Sequence, residues 1–272
     1  MSILRVALYC FIGGLVITFG ALSTGGFAWW WLAGILFAAA FVPIARRGPT
    51  GLLGQFGVIL PVFLMVTVLC TWSEAYIFMP AFREHALQSL VGSAVMYTVM
   101  AVVLAVLALV LKLPQANGPS AELRSAAKLV GLVLVCGIAY AVYYLVFGSI
   151  AYQFFTKQYY PHAEELVAQL GAWFWPIEIA RGVLMTLAVL PAIRALRMTR
   201  LQTAIVVGLL IWITGGLAPL VVPFTGMGPR QRFIHVIEIF TQNASLGFTA
   251  GMLLRKKQAR DAGAVPGVAV PA

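Results

Sequence analysis

Aspartate is nearly missing from this chain: Asp261, close to the C-terminus, is the single one. That excludes a catalytic scheme built on aspartates within the apolar body of the protein. Charge of both signs is scarce, at 10% of residues, where soluble domains carry about 25%. Cys10, Cys70 and Cys136 stand alone in apolar runs with no CxxC spacing, so neither a disulfide framework nor a thiolate metal site is indicated. The three histidines, His85, His162 and His235, all fall toward one end of the molecule, a poor arrangement for bis-histidine haem. A metal needs three or four ligands. His235 and Glu238 with one of Glu74, Glu178, His85 or His162 would supply them only from distant segments, so no metal site and no cofactor is indicated. No GxSxG, Walker or dinucleotide motif occurs in a suitable context. Asn243-Ala244-Ser245 fits the glycosylation pattern by chance, inside an apolar run.

What remains is hydrophobic. Apolar residues make up 62% of the 272, and mean hydropathy is +0.97. An all-α polytopic membrane protein is the class that fits. Windows of about 20 apolar residues mark eight transmembrane helices near 4–22, 27–46, 54–75, 87–112, 127–150, 171–193, 201–222 and 232–254. The first reads as a span and not as a cleaved leader, since no small-residue cleavage site comes after it. Residues 1–255 then form one transmembrane domain, and 256–272, rich in Ala, Gly, Pro and Val, a disordered cytoplasmic tail. No joint between spans is long enough for a soluble domain.

The net charge of +10 would suggest nucleic acid in a soluble protein, but here it sorts by side. Arg5, Arg46, Arg47, Lys112, Arg124, Lys128, Arg194, Arg197, Arg200, Arg255, Lys256, Lys257 and Arg260 share one side of the eight-span arrangement. Only Arg83, Lys157, Arg230 and Arg232 lie on the other, and Arg181 is inside a span. The positive-inside rule puts both termini in the cytoplasm of a plasma membrane, in bacteria the inner one. The basic side meets anionic lipid heads, and nucleic acid is not an expected partner. Glu74, Glu84, Glu164 and Glu165 gather at the outer surface, with Glu178 and Glu238 about two turns below it.

An internal repeat is also suggested. Phe41-Val42-Pro43-Ile44-Ala45-Arg46 resembles Val189-Leu190-Pro191-Ala192-Ile193-Arg194, about 148 positions on. Each ends a span that opens on a tryptophan cluster. Pro80-Ala81-Phe82-Arg83 and Gly228-Pro229-Arg230 each open the last span of four. Four spans plus four would be a parallel repeat about an axis along the membrane normal.

The stretch Gln231–Thr249 holds the main functional hint. On a helix, Gln231, His235, Glu238, Gln242, Ser245 and Thr249 fall within an arc of roughly 80°. Gly247 and Gly251 lie opposite, a small-xxx-small face for close helix contact. Such a stripe is expected to face protein or water and not lipid. His235 and Glu238, three apart, read either as a ligand or proton pair or as a hydrogen-bonded seam. In the sixth span Glu178 and Arg181, also three apart, read as a self-neutralised pair or as a fork for an anionic group. Thr67, Thr71 and Glu74 share one face of the third span, where Glu74 reads as an ordinary helix end or as a site member. Tyr140, Tyr143 and Tyr144 read as packing, and Glu164-Glu165-Leu166-Val167 as an outer amphipathic helix.

The expected function is a transporter, permease or flippase for a small or lipid-linked, anionic-capable substrate. Its outward-facing site lies between the third, sixth and eighth spans and uses Glu74, Glu178, Arg181, Gln231, His235, Glu238 and Gln242. Two alternatives stand beside it: an enzyme acting on a lipid-linked group at the outer leaflet, and a non-catalytic subunit of a larger complex. Membrane lipids, the substrate, and a second copy or partner subunit are the expected partners.

Overall fold

The computed structural model describes residues 3–20, 26–115, 120–159, 163–223 and 227–257. His162 and the tail beyond Lys257 lie outside the described residues. Among those described, nine helices run in order: α1 (Ile3–Gly20), α2 (Phe27–Arg47), α3 (Leu52–Ile77), α4 (Phe82–Val110), α5 (Ala126–Tyr159), short α6 (Ala163–Leu170), α7 (Gly171–Ala195), α8 (Arg200–Val221) and α9 (229–254). Among the described residues there is no strand, and only an isolated bridge joins Leu123 to Arg255. Such a chain satisfies its backbone within each segment, as hydrocarbon surroundings require.

Six helices, α2, α3, α4, α5, α7 and α8, are long and apolar enough to cross a membrane. Helix α1 is apolar but shorter. Helix α9 is as long as the spans, yet Arg230, Arg232, Glu238 and its amide and hydroxyl stripe lower its hydropathy.

Helix ends are set by local chemistry. Gly26, at φ 74°, turns the chain into α2, and the N–H of Gly48 closes that helix onto the Ile44 carbonyl at 2.8 Å. Thr199 and Gln202 form a capping box at the start of α8, at 3.2 and 3.1 Å. Two arginines cap C-terminal carbonyls, a favourable match of cation to helix dipole. Arg83 donates to Tyr76 and Ile77 at the end of α3, at 2.9 and 3.1 Å, and Arg232 donates to Val221 at the end of α8, at 3.1 Å.

Glycines decide the closest packing. Helix α1 lies along α2, where a Cβ on Gly34 would come within 2.3 Å of the Gly14 carbonyl oxygen. Helix α5 lies along α7 in the same way, where a Cβ on Gly182 would sit 2.9 Å from Gly137 Cα. Gly247 and Gly251 bring α9 onto α8, against Gly208 and Ala204. The small-xxx-small face read from the sequence therefore does touch a neighbour helix.

Helices α3 and α8 cross near the centre, where the Thr67 hydroxyl donates to the Thr214 carbonyl at 2.9 Å and Gly215 lies against Val66. At this level the coil is widened: π-helical turns run through Val62–Cys70 of α3, Ile213–Leu217 of α8 and Phe240–Ala244 of α9. A π turn takes an extra residue, rotates the rest of the helix relative to the turns before it, and is frequent at functional sites. At the arginine-rich end, the connector from α4 to α5 is laced beneath the bundle. Gln115 N–H bonds Arg46 O at 2.9 Å, Ala121 N–H bonds Arg194 O at 3.0 Å, and Arg124 N–H bonds Leu254 O at 3.1 Å.

Candidate functional site

Helix α7 carries Glu178 and Arg181 one turn apart, both buried, at 1% and 6% exposure. The guanidinium Nη1 donates to Glu178 Oε1 and Oε2 at 3.0 and 2.9 Å. Its Nη2 donates to Glu74 Oε2 of α3 at 2.7 Å. Arg181 also lies over the rings of Tyr140 and Tyr144 of α5, 5.8 and 5.3 Å from their centroids, so cation–π attraction adds to the ion pairs. Its Nε is buried with no hydrogen-bond partner among the described residues. With both carboxyls ionised, two negative charges meet one positive charge in surroundings that screen poorly. An anionic ligand would have to displace carboxylates already holding the fork.

The second group lies on α9. His235 Nδ1 and Glu238 Oε2 are 3.0 Å apart, and the Gln242 amide donates to Glu238 Oε1 at 3.3 Å. Gly148 of α5 faces both Glu238 and Gln242, leaving room for them. Further along, the Tyr143 hydroxyl of α5 and the Thr249 hydroxyl meet at 3.0 Å. The stripe therefore faces α5 and the protein interior. The π turn of α9 adds Asn243 to the inner side, so that Gln242 and Asn243 are both buried, at 2% and 4% exposure. The Trp212 indole takes up the Val236 carbonyl at 3.2 Å, one turn before the widening.

Gln242 joins the two groups. A small cavity of about 10 Å³ is lined by Glu74, Tyr140, Arg181, Gly215, Gln242 and Asn243, space on the order of one water. The result is one polar tract: Glu178, Arg181 and Glu74, then the cavity, then Gln242, Glu238 and His235. Glu74 is its most open carboxylate, at 26% exposure of the side chain against 2% for Glu178 and 15% for Glu238. The π-helical turns of α3, α8 and α9 converge here, and each contributes a lining residue: Val66 and Cys70, Gly215, and Gln242 with Asn243.

Of the residues singled out by sequence, Glu74, Glu178, Arg181, His235, Glu238 and Gln242 come together. Gln231 stays apart: it is half-buried at the start of α9 and bonds none of them. His85 is exposed and also stays apart. Tyr140 and Tyr144, read from the sequence as packing, and Asn243, read there only as a chance glycosylation match, also stand at the site. A lone Asn in an apolar span was the available signal, since such amides are kept for interhelical bonds. Among the described residues no three His, Cys, Asp or Glu side chains form a metal-binding group. Outside the spans, Glu164 of α6 accepts from Lys157 at 3.0 Å, and that ammonium holds its carboxyl below the usual carboxylate range.

Compared with family models, curated proteins and solved structures, the chain finds no match in any of the three.

Proposed function

We propose that the protein is a multi-pass transporter of the plasma membrane, the inner membrane if the source is bacterial. In this reading α1 and α9 also span, giving eight transmembrane helices with both termini cytoplasmic. Helices α1–α4 and α5 with α7–α9 form two parallel halves, and the tract around Arg181 is the substrate or coupling site, opening outward. The substrate is a small or lipid-linked polar molecule. It enters together with a proton or cation that balances the excess carboxylate.

The repeat rests on paired features at one separation. Gly34 and Gly182 are as far apart in sequence as Pro43 and Pro191, and both receive a glycine of the preceding span. At this separation Val66 corresponds to Thr214 and Thr67 to Gly215, so the contacts Val66–Gly215 and Thr67–Thr214 at the crossing of α3 and α8 exchange with one another, as a twofold axis requires.

One observation carries the functional half. Moved back by the same separation, Glu178, Arg181, Glu238 and Gln242 fall on Trp30, Ala33, Leu90 and Ala94. The first half thus packs the same helices with apolar side chains. Packing does not need these charges, and ionisable groups in a span are expensive to keep.

The experiment is a stability screen of the purified protein in lipid nanodiscs against amino acids, carboxylates, amines and phosphorylated sugars, followed by uptake into proteoliposomes under a proton gradient. A ligand whose stabilisation and uptake are both lost in Glu238→Gln and Arg181→Lys supports the reading. Uptake that survives both variants removes this tract from the mechanism. The size of the cavity favours one competing reading, a subunit whose tract is a sealed interhelical seam. Failure of the whole screen together with a partner that copurifies stoichiometrically would select it.

A further inference from the structure

A second cavity, of about 480 Å³, opens at the arginine-rich end and shares no lining residue with the cavity beside Arg181. Its volume is within the range of small-molecule sites, roughly 300–1,000 Å³. Along α7 it is walled by Leu187, Pro191 and Arg194, which recur at helical spacing on one face. Pro49 from the joint between α2 and α3, Leu123 from the laced connector, and Arg197 also line it.

The chemistry changes along this groove. Leu187 is 40% exposed on a helix apolar enough to span a membrane, so the upper end is open to acyl chains. Arg194 lies two turns further on, about 10 Å along the axis. Its side chain is exposed and makes no ion pair with a described residue. The nearby carboxylate, Glu122, is taken by Lys256 at 3.2 Å. An apolar trough ending in arginine at the level of the basic loops matches one ligand class, a hydrocarbon chain carrying an anionic head. Basic pockets of this kind between spans hold acidic lipid heads.

We propose that this pocket binds an anionic phospholipid of the adjoining leaflet. The phosphate sits at Arg194 beside Arg197, and one acyl chain lies along Leu187 and Pro191. The lipid touches the joint between α2 and α3, the connector and α7 at once, so it clamps the two groups of helices at this end. The inference does not depend on what the tract around Arg181 does.

The test is native mass spectrometry and thermal stability of the purified full chain with phosphatidylglycerol, phosphatidylcholine or glycerol phosphate. Arg194→Gln and Leu187→Gln alter exposed side chains, so folding is not at stake. Arg47→Gln, an exposed arginine at the same end but outside the pocket, is the control. The expected result is retention and stabilisation by phosphatidylglycerol alone. Its apparent affinity falls about tenfold in Arg194→Gln, falls also in Leu187→Gln, and is unchanged in Arg47→Gln. Three results would overturn the proposal: equal loss in Arg47→Gln, which means general surface charge; equal retention of phosphatidylcholine; or competition by glycerol phosphate as strong as by the intact lipid, which means an anion site with no place for a chain.

Discussion

Arg181 reaches Glu74 at 2.7 Å and so ties α7 to α3 by an ion pair between residues far apart in the sequence. Its other partner, Glu178, is a turn away on its own helix. The guanidinium is therefore both locally neutralised and used as a cross-link. Breaking a buried pair by removing one member costs about 3–5 kcal/mol, whereas replacing all members by apolar groups can be neutral. Arg181→Gln should accordingly lower the unfolding midpoint in mixed micelles sharply, because it strands two carboxylates. The combination Glu74→Met, Glu178→Leu, Arg181→Met, apolar throughout, should recover most of that loss. Recovery of stability without recovery of ligand binding would separate the structural use of the cluster from its functional use.

How much of this was legible in the sequence depends on distance along the chain. The pairs Glu178–Arg181 and His235–Glu238 come directly from a spacing of three on a helix, so they were readable. The ion pair of Glu74 with Arg181 was not, because grouping the third and sixth spans at one site does not say which of their side chains will meet. The π-helical turns were invisible for the same reason. A uniform helix places Gln242 on the stripe and Asn243 off it, while the turn at Phe240–Ala244 buries both. Gln231 shows the opposite failure: periodicity put it on the stripe, but the stripe's partners, Gly148 and Tyr143 of α5, do not extend to it.

The glycine contacts predict matched sensitivity in the two groups of helices. A Cβ on Gly34 or Gly182 would press into backbone atoms at 2.3 and 2.9 Å, so α1 must move off α2, or α5 off α7. Overpacking of this kind costs about 1–3 kcal/mol. Gly34→Ala and Gly182→Ala should each lower the thermal midpoint, by comparable amounts. Gly57→Ala and Gly92→Ala, where a Cβ meets nothing within 4 Å, should be neutral or raise it slightly, since alanine is the better helix former. A thermal-shift series of the four variants checks both statements.

Helix α6 offers a pH-dependent contact. Lys157, 3.0 Å away, depresses the Glu164 carboxyl. Because the folded state holds the lower pKa, any contribution of this pair is present above the usual carboxylate value, about 4.3, and fades as acid protonates the carboxyl. Both groups are exposed, so salt should weaken the contact as well. Lys157→Gln should raise the Glu164 titration midpoint, observed by NMR of glutamate labelled at the carboxyl carbon. An unchanged midpoint would mean that the pair does not persist in solution.

Sidedness is the prediction on which the transport reading stands. If α1 and α9 both cross the membrane, the exposed positions Arg47 and Lys128 face the cytoplasm and Glu165 faces outward. Replacing Cys10, Cys70 and Cys136 by serine or alanine and adding one cysteine at each position allows labelling of intact cells with a membrane-impermeant maleimide. Cysteine at 165 should react at once, and cysteine at 47 or 128 only after lysis. Should 47 and 128 react in intact cells while 165 reacts only after lysis, the chain would lie the other way up in the membrane. The Arg181 tract would keep its geometry, but it would lose the outward access from which a transport role is argued.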